Sequence, residues 1–160
     1  MKLGTRGRYA VMAMVDLAGQ GVTEPKRGPI ALADIAGRQE ISLSYLEQLF
    51  SRLRKAGLVK SVRGPGGGYV LARPAHDVKI SEIVLAVDEP IRATRCNPES
   101  GRGCMPDGSR CVTHDLWEEL GNQIYNFLSG VSLEQVCARQ PTPLGARASA
   151  MPMASTDAAP

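Results

Sequence analysis

A mainly α chain carrying one small β-hairpin, with a long amphipathic helix after it, is the fold class this sequence predicts. Three observations predict it. Apolar residues recur at helical spacing in segments 6–18, 31–38 and 42–56; a glycine-rich turn separates two short apolar runs within 58–72; and one unbroken apolar stripe covers 113–129. The 160 residues are 43% hydrophobic, enough to build a core without disulfide staples.

The elements follow in order. Tyr9, Met12, Val15 or Asp16, and Leu17 sit near helical spacing, and Gly19 and Gly21 are expected to end that helix. VTEPKRGPI reads as a turn-rich connector, and ALADIAGRQEIS as a short helix stopping near Gly37. A longer helix spans about 42–56, with Ser42 or Ser44 as its N-cap and Gly57 beyond its end. On a wheel of about 100° per residue, Leu43, Leu46, Leu49, Phe50 and Leu53 share the arc that must face a core. Leu58–Arg63 and Tyr69–Ala72 then flank the turn Gly64-Pro65-Gly66-Gly67-Gly68, which is hairpin punctuation. Ser81 is expected to cap a helix running to about Val87 and closed by Pro90. After a cysteine-bearing loop, Leu116, Trp117, Leu120, Ile124, Phe127 and Leu128 form the long stripe, and Ser132 caps a last short helix through Cys137. Helix, short helix, longer helix, hairpin is the order of a winged helix-turn-helix. The expected organisation is a winged helix-turn-helix over 1–90, a ligand loop over 91–112, a dimerisation helix and short C-terminal helix over 113–140, and a disordered tail over 141–160.

Charge separates the two halves. Residues 1–75 carry 12 Lys and Arg against 5 Asp and Glu, while residues 76–160 carry 7 against 11. A basic half beside an acidic one suits contact with a polyanion. The face of helix 42–56 opposite its leucines presents Ser44, Gln48, Ser51 and Lys55, with Glu47, Arg52 and Arg54 on its flanks. Gln48 has the groups to pair with an adenine edge and Glu47 to accept from a cytosine amino group, while Arg54 and Lys55 suit phosphates. At the hairpin tip, Arg63 can enter a narrow minor groove, and the bare backbone from Gly64 onward can approach phosphate. The expected partner is double-stranded promoter DNA. A nucleotide-cradling loop is disfavoured, because no helix or lysine follows this turn as that chemistry requires.

The segment RCNPESGRGCMPDGSRCVTHDLW concentrates three thiols and a histidine where little is apolar. Cys96, Cys104, Cys111 and His114 make a set of four soft donors. No secretory leader is read at the start, which points to a reducing cytoplasm, where clustered thiols serve as metal ligands rather than disulfides. Zinc accepts this set in tetrahedral geometry, but it usually takes ligands in tight pairs, and only Cys111 and His114 are close in sequence. A 2Fe–2S cluster needs ligands spread farther and free backbone N–H groups, for which Gly101, Gly103 and Gly108 are candidates. Spacing leaves both open, leaning to iron–sulfur. Cys137, in an apolar segment, reads as a small buried hydrophobe.

These residues resemble the bacterial IscR family of iron–sulfur cluster regulators over roughly 1–137. The likeness is carried by ISLSYLEQLFSRLRKAGLV, SVRGPGGGY, AVDE, ATRC and the C-x(2)-H followed by DLW. The resemblance implies a homodimeric winged-helix transcription factor with Cys96, Cys104, Cys111 and His114 holding a 2Fe–2S cluster. It implies repression of cluster-assembly genes by the loaded form, binding of another promoter class with or without cluster, and cluster-assembly machinery as the donor. Ser44, Gln48 and Arg63 match family DNA contacts, and Glu47 matches a carboxylate that sets operator preference. The loop between cysteines is longer here than in the best-known members. A related nitric-oxide-sensing branch takes a ligand from an aspartate where this chain has Arg8, so His114 favours the first branch. A nitric-oxide-responsive or zinc-stabilised regulator of the same fold and an iron–sulfur electron carrier are the alternatives.

An enzyme is not expected, since no triad or paired acid–base set is apparent and His76 is isolated. Nor is a membrane span, because no run of eighteen apolar residues occurs.

Overall fold

The structure is a computed structural model that describes residues 4–23, 28–91, 93 and 103–140. It comprises α1 (Thr5–Thr23), α2 (Leu32–Gln39), α3 (Leu43–Lys55), β1 (Val59–Val62), β2 (Gly68–Leu71), α4 (Ile80–Ala86), α5 (His114–Gly130) and α6 (Leu133–Cys137). The anticipated order of helices and hairpin is present. No helix among the described residues is long and apolar enough to cross a membrane.

Local chemistry explains most boundaries. At the turn between α2 and α3, Glu40 adopts a left-handed conformation (φ 53°) and the Ile41 N–H reaches back to Ala36 O at 3.2 Å. Ser42 then caps α3, its hydroxyl accepting from the Tyr45 N–H at 3.3 Å. The far end of α3 closes in a Schellman motif. Gly57 (φ 73°) donates to Arg54 O and Leu58 to Leu53 O, each at 3.0 Å. Buried Leu58 thereby starts the wing directly from the end of α3.

The wing is a two-stranded antiparallel ribbon in which Val59 faces Leu71 and Val62 faces Gly68. A two-stranded ribbon is marginal by itself. Here it is tied to the body by paired hydrogen bonds between Ile30 and Tyr69 (3.0 and 2.8 Å). Gly68 permits that approach, since a Cβ there would lie 2.3 Å from Ile30 O. Tyr69 also packs edge-on against Phe50, with ring centroids 4.9 Å apart.

One core unites the helices. Ala10, Ala13, Met14 and Leu17 of α1 meet Ile35 of α2, Leu46, Leu49, Phe50 and Leu53 of α3, Ile83 and Val84 of α4, and Leu133 of α6. The Arg38 guanidinium donates to both oxygens of Asp16 (2.6–3.1 Å), and Gln39 adds a bond at 2.8 Å, fastening α2 to α1.

Four expectations are corrected. α1 continues through Gly19 to Thr23, because a single glycine costs only about 1 kcal/mol, too little to end a helix whose preceding turns are packed as far as Ala18. Its buried face uses alanines as well as Met14 and Leu17, whereas Met12 is only half-buried. Ser81 is not a cap. α4 starts at Ile80, the Glu82 carboxylate accepts the Lys79 N–H at 2.8 Å, and buried Ser81 accepts from the Ser129 hydroxyl of α5 at 3.0 Å. Leu43 is 42% exposed, since it stands at the outer edge of the leucine arc in the first turn of α3. Part of the connector (24–27), Gly101 and the segment 141–160 lie outside the described residues.

Candidate nucleic-acid interface and metal centre

α3 lies with its leucine face buried, so its opposite face is committed to solvent. Ser44, Glu47, Gln48, Arg54 and Lys55 are all exposed there. Arg54 also reaches toward the wing, its guanidinium 3.5 Å from the Ser61 hydroxyl of β1, which links helix and ribbon. Arg63 and Gly64 are exposed at the hairpin turn. Gly64 (φ 102°) and Gly66 (φ 72°) hold backbone conformations that side chains resist, and the Gly67 N–H closes the turn on Gly64 O at 2.9 Å. A helix face bearing amide, hydroxyl, carboxylate and cations therefore stands beside a wing tip bearing Arg63.

The thiol site is built by a tight turn over 103–109. Gly103 N–H donates to Gly108 O at 2.9 Å, Met105 N–H to Ser109 O at 3.1 Å, and Gly108 N–H to Met105 O at 2.9 Å. Both the N–H and the hydroxyl of Ser109 donate to Asp107, holding its carboxyl below the ordinary value. A Cβ on Gly103 would lie 2.1 Å from Ser109 O, so only glycine fits. The turn presents Cys104 to the start of α5, where its Sγ lies 3.1 Å from Nδ1 of His114. His114 is buried at 5% exposure, and its backbone N–H bonds Cys111 O at 3.0 Å. The Cys111 N–H donates to Cys104 Sγ at 3.5 Å.

Cys104 and His114 are thus brought together, whereas Cys111 gives this pair only its backbone N–H, its own thiol lying 3.6 Å from Thr113 Oγ1, and Cys96 lies outside the described residues. The expectation that Gly103 and Gly108 offer free N–H groups is overturned, since the turn uses both. The Cys111 N–H instead supplies a bond to sulfur. A thiol meeting an imidazole, with a second thiol on the same short segment, fits iron–sulfur or zinc by donor chemistry.

Sequence reasoning missed Glu118, one helical turn after His114, whose Oε1 lies 3.8 Å from His114 Nε2. Asp115 shares that cluster, and Arg110 lies 3.8 Å from Asp115 and 4.0 Å from Glu118. The i, i+4 spacing from His114 was the available signal. Cys137 packs against the core with its thiol 3.7 Å from Val15 O, and burial pushes that thiol's pKa up. His76 is exposed and lies 3.4 Å from Asp77.

Comparison with known proteins gives these residues a context. The family described as Rrf2, iron-dependent transcriptional regulator, matches residues 3–139. The HTH-type transcriptional regulator IscR of Photorhabdus laumondii is 54% identical over 140 residues, covering 88% of this chain and 81% of that one. Among solved structures, T. potens IscR superposes with a TM-score of 0.67 at 38% identity, covering 87% of this chain and 88% of that one. CymR, the global cysteine regulator of B. subtilis, gives a TM-score of 0.70 at 31% identity, covering 87% of this chain and 98% of that one. A winged-helix reading head, a match across nearly the whole described chain and relatives named as regulators agree: this chain belongs to the Rrf2 family of iron-dependent transcriptional regulators, DNA-binding proteins rather than enzymes.

Proposed function

We propose that this chain acts in the cytoplasm as a homodimeric, IscR-type regulator that reports iron–sulfur status. It holds a 2Fe–2S cluster through Cys96, Cys104, Cys111 and His114 and controls cluster-assembly genes from promoter DNA. The observation that carries the reading is the 3.1 Å approach of Cys104 Sγ to Nδ1 of His114, with the Cys111 backbone N–H donating to that sulfur. The fold alone does not carry it, because a regulator described by cysteine shares the same architecture. When bound, such a cluster supplies a soft iron centre whose occupancy follows cluster supply from the assembly machinery.

The chain's own residues supply the rest. His114 is neutral when it ligates, so it leaves the site with one negative charge fewer than a fourth thiolate would, and its nitrogen can be protonated off. Both effects favour a site that gives up its cluster readily, as a sensor requires. α5 keeps Leu116, Trp117, Leu120 and Phe127 between 37% and 63% exposed along one face. We assign that face to a second copy of the chain, so that two α3 helices address half-sites a helical turn or a multiple of it apart. Ser44, Gln48, Arg54, Lys55, Arg63 and Gly64 serve DNA contact, and Glu47 sets operator preference. Arg8 is exposed where the nitric-oxide-sensing branch carries an aspartate ligand, which supports the cluster-status reading.

The test is anaerobic purification, an absorption spectrum with iron and sulfide assay, then promoter binding before and after cluster removal. A red-brown protein whose promoter choice changes with loading is expected. A colourless zinc protein, or a coloured one with no affinity for promoter DNA, sinks the reading in favour of a zinc-stabilised regulator or an electron carrier.

A further inference from the structure

One charged contact joins the DNA-reading helix to a part of the molecule not yet given a role. Arg52 lies on the edge of the exposed face of α3, four residues and therefore about 40° from Gln48. A long cation at that edge is placed for backbone phosphate rather than for a base. In the free protein its guanidinium is instead paired with the carboxylate of Asp88.

Asp88 belongs to the turn that ends α4, and that turn is fastened from several directions. Asp88 takes a left-handed conformation (φ 56°), and its N–H bonds Leu85 O at 3.1 Å. Arg6 of α1 reaches the carbonyls of Val87 and Asp88 at 3.4 and 3.5 Å, and Glu89 accepts the Gly4 N–H at 2.9 Å. The turn is held by α1 whether or not Arg52 is paired. The pair itself is open to water, with side chains 40% and 73% exposed, so it is weak enough to exchange.

We propose that Asp88 is a built-in phosphate mimic, a fixed anion that holds Arg52 off DNA and that the nucleic-acid backbone must displace. Arg52 is then a phosphate contact in the bound state, and Asp88 restrains binding to every sequence equally. The inference rests on DNA binding by α3 and requires nothing of the thiol site.

The experiment uses the full chain and a mixed-sequence DNA duplex about three helical turns long, titrated across a salt series by fluorescence anisotropy. Asp88→Asn should tighten binding about fivefold near 0.1 M salt, because asparagine keeps the backbone and loses the charge. Adding Arg52→Gln should abolish that gain and flatten the dependence of log K on log salt by about 0.9. If the gain survives in the Arg52→Gln background, Asp88 acts only through its general field and the proposal fails. It fails equally if Asp88→Asn leaves binding unchanged in a protein that melts as the wild type does. Should that variant not fold, Asp88→Gly, which also accepts the left-handed backbone, replaces it with the same two outcomes.

Discussion

Cys104 Sγ and His114 Nδ1 lie 3.1 Å apart although ten residues separate them, because the 103–109 turn folds one onto the helix that begins with the other. A cysteine sulfur and an imidazole nitrogen held this close are donors that a soft metal centre accepts. His114→Cys should replace a neutral ligand by an anionic one and hold the centre more firmly. Bleaching of the visible absorption in air should slow several-fold; equal or faster loss would show that the imidazole is not the labile ligand.

Gly103 tests how the site is built. Gly103→Ala drives a Cβ to within 2.1 Å of Ser109 O, so the turn must open and Cys104 must move. Iron and sulfide content after reconstitution should fall sharply. The main melting transition should stay within a few degrees of wild type, because the turn contributes no side chain to the core. A fully loaded variant would mean the turn is not what presents Cys104.

Asp16 contributes to acid sensitivity. Burial pushes its carboxyl up, but the hydrogen bonds from Arg38 and Gln39 and the charge of Arg38 outweigh that and leave it below its ordinary value of 3.8. A lowered folded-state value contributes stability above the unfolded value that disappears as pH falls through the folded one. Asp16→Asn should therefore cost about 1.5 kcal/mol at neutral pH, and the gap to wild type should narrow below about pH 4. Urea denaturation at pH 7 and pH 3 measures both; a constant gap would contradict the assignment.

Phe50 links the reading helix to the wing, fully buried and edge-on to Tyr69. Phe50→Ala should cost about 4 kcal/mol by chemical denaturation. Phe50→Leu should cost far less and keep DNA affinity, which separates packing from recognition.

On the exposed face of α3, Glu47→Ala should relax discrimination between promoter sequences while leaving affinity for mixed-sequence DNA nearly unchanged. Lys55→Ala should weaken all duplexes alike and reduce the salt slope by about 0.9. Competition binding against a scrambled duplex distinguishes them, and an unaltered sequence preference would remove the role given to Glu47.

Much of this was legible before any coordinates. Ser42, Gly57, the glycine-rich turn and Ser132 are local signals, acting within three or four residues, and each marks a real boundary, although Gly68 already belongs to β2. The leucine arc of α3 was equally plain, except at Leu43, which stands at the edge of the arc and is exposed. Ser81 misled because a serine near a helix start reads as a cap, whereas the buried Ser81 hydroxyl is taken up by Ser129, a partly buried partner on α5. Gly19 misled because one glycine costs only about 1 kcal/mol, too little to end a helix anchored as far as Ala18.

By itself the sequence determined the order of helices and hairpin, the polar face of α3 and the chemistry of the donors at 104, 111 and 114, since all are written in composition and short-range spacing. Tertiary structure alone decided that Cys104 meets His114 through Nδ1 and that Asp88 holds Arg52. Those pairings depend on where packed elements bring distant side chains, and no local periodicity encodes that.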